Sequence, residues 1–90
     1  MPHLLVTVGS RSGLHARPAS LFVQAAARQP VKVRVGKPGQ TPVDARSLLS
    51  VLALAAGHGE TLELHAEDGE QAQGALDELA GLLATDLDAA

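Results

Sequence analysis

Gly13-Leu14-His15-Ala16-Arg17-Pro18-Ala19-Ser20-Leu21-Phe22-Val23-Gln24-Ala25-Ala26 is the stretch on which the fold turns. Within it Ala19, Phe22, Val23 and Ala26 fall at i, i+3, i+4 and i+7, one face of an α-helix. Pro18 has no backbone N–H and fits only in the first turn, where that donor would find no partner inside the helix. The helix therefore begins immediately after His15, and Gln29-Pro30 stops it. Ahead of it, Gly9-Ser10-Arg11-Ser12-Gly13 has the composition of a loop, and His3 to Val8 alternates as a strand.

Downstream, Val31, Val33 and Val35 alternate with Lys32, Arg34 and Gly36, the pattern of a half-buried strand. Lys37-Pro38-Gly39-Gln40 turns the chain, and Thr41-Pro42-Val43-Asp44 can return as a short strand that Pro42 confines to an edge or an unpaired position. With two prolines between Gly36 and Val43, these two strands are expected to pair poorly. Ser47 stands as a cap before Leu48, Leu49, Val51 and Leu52, a short helix that Gly57-His58-Gly59 ends. Thr61 to Ala66 alternates again. Ala72, Ala75, Leu76, Leu79, Leu82 and Leu83 then form one helical stripe, with Asp68 and Gln71 spaced as a capping box at its start. Gly74 and Gly81 lie on the polar side, each costing about 1 kcal/mol relative to Ala, so packing must hold this helix. The order β-α-β-β-α-β-α predicts an α+β fold, a two-layer open-faced β-sandwich. In it a four-stranded, mostly antiparallel sheet carries three helices on one face, and residues 1–90 make one domain.

Composition narrows the function. Phe22 is the only aromatic residue, so the stacking platforms of single-strand nucleic-acid binders are missing. Without cysteine there is no disulfide framework and no thiolate metal site, and a cytoplasmic location is the expectation. Leu48 to Ala56 is the longest apolar run, far short of the roughly 20 residues of a membrane helix. No secretory signal is evident in Met-Pro-His-Leu-Leu-Val. Charge is lopsided: residues 1–43 hold six cations and no acid, net +6, whereas residues 44–90 hold Arg46 against ten carboxylates, net −9. The basic half suits a local anion or an acidic partner surface better than a nucleic acid, with a solvated face as the lesser alternative. His3, His58 and His65 lack metal-ligand spacing, and no metal or cofactor is expected.

Most of the chemistry gathers at the loop-to-helix junction. A helix starting at Ala16 leaves its first N–H groups unpaired and places partial positive charge there, which makes an anion site. Arg17 adds a guanidinium able to hold phosphate oxygens through two donors. His15 is a nucleophile with a neutral form near pH 7. By themselves these residues fit a phosphoryl-accepting histidine and an idle surface histidine equally well.

Gly13-Leu14-His15-Ala16-Arg17-Pro18-Ala19-Ser20 resembles the active-site signature of the HPr family, the histidine-containing phosphocarriers of the bacterial phosphoenolpyruvate-dependent sugar phosphotransferase system. Ala45-Arg46-Ser47-Leu48-Leu49-Ser50-Val51-Leu52 resembles the family's regulatory-serine segment, and Gly57-His58-Gly59-Glu60 followed by a strand and a helix also fits. The resemblance spans essentially the whole chain. It implies that His15 accepts phosphoryl from phosphorylated enzyme I and passes it to a IIA component. Arg17 and the Ala16 and Arg17 amides would hold the phosphoryl oxygens. It implies a regulatory role for Ser47, phosphorylated by an HPr kinase/phosphorylase, and a partner surface including Ser20, Leu48, Leu49 and Leu52. Leu48 and Leu49 are expected to be more exposed than Leu52. Ser50 departs from the pattern, since a glycine is common there. Such a chain is a monomeric, stoichiometric carrier, and whether it counts as an enzyme is a matter of definition. The alternatives are a regulatory or nitrogen-type paralogue, or, from another class, a non-catalytic small-molecule-binding regulatory domain.

Overall fold

The computed structural model describes residues 2–86. Along the chain run β1 (His3–Thr7), α1 (Ala16–Ala27), β2 (Val33–Gly36), β3 (Val43–Asp44), α2 (Leu48–Ala53), β4 (Thr61–Ala66) and α3 (Ala72–Ala84). The four strands form one sheet in the order β1-β4-β2-β3, antiparallel at every interface. This is the expected βαββαβα sandwich, with helices on one face and the other face open.

Alternation in the strands produces the layering. Val6, Val33, Val35, Leu62, Leu64 and Ala66 point to the helix side and are buried. Helix α1 lays Pro18, Ala19, Phe22, Ala25 and Ala26 against them, and α3 adds Ala72, Ala75, Leu76, Leu79 and Leu83. Phe22, at the centre, is fully buried. Removing such a ring in Phe22→Ala would cost about 3–5 kcal/mol, a large fraction of a small protein's stability. The short α2 buries only Val51. Gly74 and Gly81 are exposed on α3, on the polar side as expected.

On the open face the register sets residues side by side across all four strands. His3 stands opposite His65, His65 opposite Arg34, and Arg34 opposite Asp44. β2 and β3 share only the pairs Arg34–Asp44 and Val35–Val43, the weak pairing that the two prolines foreshadow. Pairing of β2 with β4 starts at Val33, so Val31 packs half-buried beside the core outside the strand.

The capping box does not form. Asp68 lies before a turn in which the Ala72 amide donates to the Gly69 carbonyl. The helix starts one residue after Gln71, which caps it without a side-chain hydrogen bond. A capping box requires its first residue at the N-cap, and the intervening turn moves Asp68 three residues upstream of that position.

Candidate functional site

His15 occupies the N-cap of α1 with extended backbone (φ −86°, ψ −169°). Its carbonyl accepts the first intrahelical bond, from Ala19 N at 2.9 Å. Of the three residues between them, Pro18 has no donor, so the Ala16 and Arg17 amides are the two N–H groups that the helix leaves unsatisfied. His15, Ala16 and Arg17 are all exposed, whereas Leu14 and Pro18 on either side are buried. The buried pair anchors the segment and the exposed trio faces solvent. Imidazole, two helix-terminal amides and a guanidinium thus share one short segment at the positive end of the helix dipole.

The preceding loop is held from two sides. Leu14 N donates to the Ala56 carbonyl at 2.8 Å, tying it to the segment after α2. Gly13 has φ +76°, and a Cβ there would lie 2.6 Å from Ala56 O and 2.9 Å from Gly57 Cα, so glycine alone fits. The Ser10 carbonyl accepts the Gly13 amide and lies 3.1 Å from His58 Nδ1. From the other side, Gly9 N donates to Leu83 O at 2.9 Å, and the Arg11 amide and Nε reach the Asp86 carboxylate at 3.2 and 2.8 Å. His58 is therefore part of the loop's scaffold.

Ser47 caps α2 as expected. Its Oγ accepts from Ser50 N at 3.4 Å and donates to Ser50 Oγ at 3.0 Å. Ser50, where a glycine is common in the family pattern, thus engages the Ser47 hydroxyl directly. Just upstream, Arg46 clamps Asp44 through its amide and guanidinium, and the guanidinium hydrogen bond holds the Asp44 carboxyl below its usual range. Beyond α2, the Gly57 amide and then Lys37 lower the Glu60 carboxyl in the same direction.

Leu49 is 80% exposed and Leu48 39%, while Leu52 is half-buried against the core, in the predicted order. Ser20 is half-buried and its Oγ accepts from Gln24 Nε2 at 3.1 Å. Leu21, also exposed, joins the apolar surface residues although nothing in the sequence reading singled it out. Its position off the Ala19-Phe22-Ala26 stripe was the available signal. Helices α1 and α2 pack together, but His15 sits beside the segment following α2 whereas Ser47 stands at that helix's opposite end. Six helical residues, about 9 Å, separate those two levels. Among the described residues no group of three or more His, Asp or Glu could hold a metal ion, and no helix is long and apolar enough to cross a membrane.

The chain is thus an open-faced βαββαβα sandwich with an exposed histidine at the N-cap of its first helix. The family model of the PTS HPr component phosphorylation site matches residues 4–85, and the chain belongs to the HPr family. It is 47% identical over 83 residues to the phosphocarrier protein HPr of Pseudomonas aeruginosa, covering 92% of this chain and 91% of that protein. The crystal structure of the phosphocarrier HPr from Bacillus anthracis superposes with a TM-score of 0.83 at 36% identity, covering 91% of this chain and 95% of that one. Crh of Bacillus subtilis, described as a domain-swapped dimer, superposes with a TM-score of 0.69 at 40% identity, covering 92% and 93%.

Proposed function

We propose that this chain is a phosphoryl carrier in which His15 takes a phosphoryl group from phosphorylated enzyme I and passes it to a sugar-specific IIA component. The observation that carries this reading is His15 at the N-cap of α1, exposed beside the Ala16 and Arg17 amides. In the forward step a neutral His15 ring nitrogen, Nδ1 by family resemblance, attacks phosphorus. The new P–N bond forms as the bond between phosphorus and its carrier atom on the donor breaks. The two helix-terminal amides and the Arg17 guanidinium accommodate the phosphoryl oxygens, and the field of the helix start favours their charge. Transfer to the IIA component repeats the exchange in the opposite sense, so the carrier returns unchanged.

Partner contact on this reading uses Ser20, Leu48, Leu49 and Leu52, with the exposed Leu49 as its apolar centre. Ser47 is the regulatory position: a phosphate there adds nearly two negative charges beside that surface and would weaken docking of the carrier. The chain acts as one cytoplasmic domain and as a monomer. An intact His15 argues against a paralogue that signals through serine alone, and a passive small-molecule-binding domain has no reason to place His15-Ala16-Arg17-Pro18 at a helix start.

Incubation with enzyme I and phosphoenolpyruvate tests the proposal. An acid-labile, base-stable phosphate should form on the wild type and vanish in His15→Ala. No label on wild type with a competent enzyme I refutes it. For Ser47, ATP and an HPr kinase/phosphorylase should label the wild type, and label persisting in Ser47→Ala removes that role.

A further inference from the structure

The face of the sheet turned away from the helices holds a cavity of about 330 Å³ lined by Lys32, Arg34, His65, Glu67 and Asp68. Arg34 and His65 alternate with the buried Val33, Val35, Leu64 and Ala66, so β2 and β4 aim them outward, and Lys32, Glu67 and Asp68 flank the strand ends. Every lining residue is ionisable. The β2 side supplies the two cations, and the β4 side supplies the imidazole and the carboxylates.

Local geometry keeps those cations available. Arg34 stands opposite His65 in the register and opposite Asp44 on its other side. Asp44 directs both carboxylate oxygens to Arg46, at 3.2 Å each. Glu67 faces Lys32 through the backbone: its amide donates to Lys32 O at 3.0 Å, and its Oε1 accepts the Lys32 amide at 3.3 Å. His65 Nε2 lies 3.1 Å from Glu63 Oε1, which fixes the imidazole edge at the cavity. Among the described residues, neither Lys32 Nζ nor the Arg34 guanidinium makes an ion pair. Lys32, just ahead of β2, and Arg34 on it thus present two cations to one side of the cavity, opposite the carboxylates of Glu67 and Asp68.

We propose that this cavity binds a small phosphate monoester carrying free hydroxyl groups. The Arg34 guanidinium offers two parallel donors to the phosphoryl oxygens, and the Lys32 ammonium adds a compact second charge. Glu67 lines the same cavity and spends Oε1 on the Lys32 amide, and its second oxygen serves as acceptor for a ligand hydroxyl. The volume stands at the lower end of small-molecule sites, about 300–1,000 Å³, and suits a ligand of sugar size rather than a nucleotide. The sheet separates the cavity from the helix layer that carries His15, so the ligand does not compete with phosphoryl exchange. This site draws on the cations of the basic first half that the helix start leaves unused.

Amide spectra of the full-length protein, titrated with glycerol 3-phosphate, glycerol and inorganic phosphate, test the assignment. Glycerol 3-phosphate should give saturating shifts at Lys32, Arg34, His65 and Glu67, and glycerol none. Because charge-assisted bonds to a phosphoryl group are among the stronger ones, Lys32→Gln/Arg34→Gln should weaken binding at least about tenfold. Arg34 is exposed and Lys32 half-buried, and an unchanged thermal midpoint of that variant certifies its fold. Glu67→Ala should reduce the preference for the ester over inorganic phosphate, since it removes the hydroxyl acceptor while the loss of its charge acts on both anions alike. Shifts confined to Ala16 and Arg17, or an affinity unchanged in the double variant, overturn the site. Inorganic phosphate binding as tightly as the ester overturns the ligand class.

Discussion

Gly13→Ala is the sharpest test of how the His15 segment is built. The native φ of +76° costs an alanine about 1–2 kcal/mol in any surroundings. At this position a second cost follows, because the added Cβ would lie 2.6 Å from Ala56 O and 2.9 Å from Gly57 Cα. Both are backbone atoms and cannot swing aside, so the 2.8 Å bond from Leu14 N to Ala56 O must open. Breaking a buried hydrogen bond adds about 1–3 kcal/mol. Gly39→Ala isolates the second cost: Gly39 has φ +82° but nothing within 4 Å of its would-be Cβ. Both variants gain the same reduction of unfolded-chain entropy, so it cancels in the comparison. Urea unfolding followed by far-UV circular dichroism should therefore place Gly13→Ala about 1–3 kcal/mol below Gly39→Ala. At about 4–8 °C per kcal/mol for a chain of this size, the thermal midpoints should differ by roughly 5–20 °C. Equal stabilities within about 0.5 kcal/mol would refute the claim that the contact with Ala56 fixes the loop.

Ala55 is the one non-glycine residue at positive φ among the described residues (φ 53°), so Ala55→Gly should raise stability by about 0.5–1 kcal/mol in the same urea assay. Ser47→Ala should cost about 0.5 kcal/mol, the low end for an N-cap, because its bond to the Ser50 amide is long at 3.4 Å. The folded value of the Asp44 carboxyl lies below its unfolded one of 3.8, chiefly through the Arg46 guanidinium. Its contribution is therefore complete above that pH and fades as pH falls through the lower folded value. Arg46→Gln should flatten stability against pH below about 4, and only slightly because the pair is largely exposed and screened by solvent. Leu49→Ser should leave the thermal midpoint unchanged, since the side chain is 80% exposed, while raising the KM for phosphoryl acceptance from enzyme I severalfold.

Much of this architecture was legible because single residues forced it. Pro18 admitted only one helix start, and that start put His15 at the cap. Alternation in Thr61–Ala66 and the apolar stripe of α3 gave the faces directly, since each pattern has one buried solution. The misreadings arose where tertiary context decides. Asp68 and Gln71 have capping-box spacing, but a turn stands between the strand and the helix. Val31 alternates with Val33, yet β4 offers it no partner. The left-handed Ala55 was invisible, because alanine is the last residue such a position would select. Likewise the Lys32-Arg34-His65-Glu67 cavity depends on β2 pairing with β4, which no local pattern announces.

The position of β4 between β1 and β2 also orders the birth of the molecule. On the ribosome, β1 emerges first and has no strand to pair with until residues 61–66 follow. The bond from Arg11 to Asp86 closes a separation of 75 residues, so the loop before His15 is bolted last. Contacts this distant in sequence slow folding, because loop-closure entropy is lost before they form. A nascent chain halted before β4 would hold two helices, the short β2–β3 pair and an unpaired β1 exposed to proteases, with the loop ahead of His15 still unfastened on its Leu83 and Asp86 side.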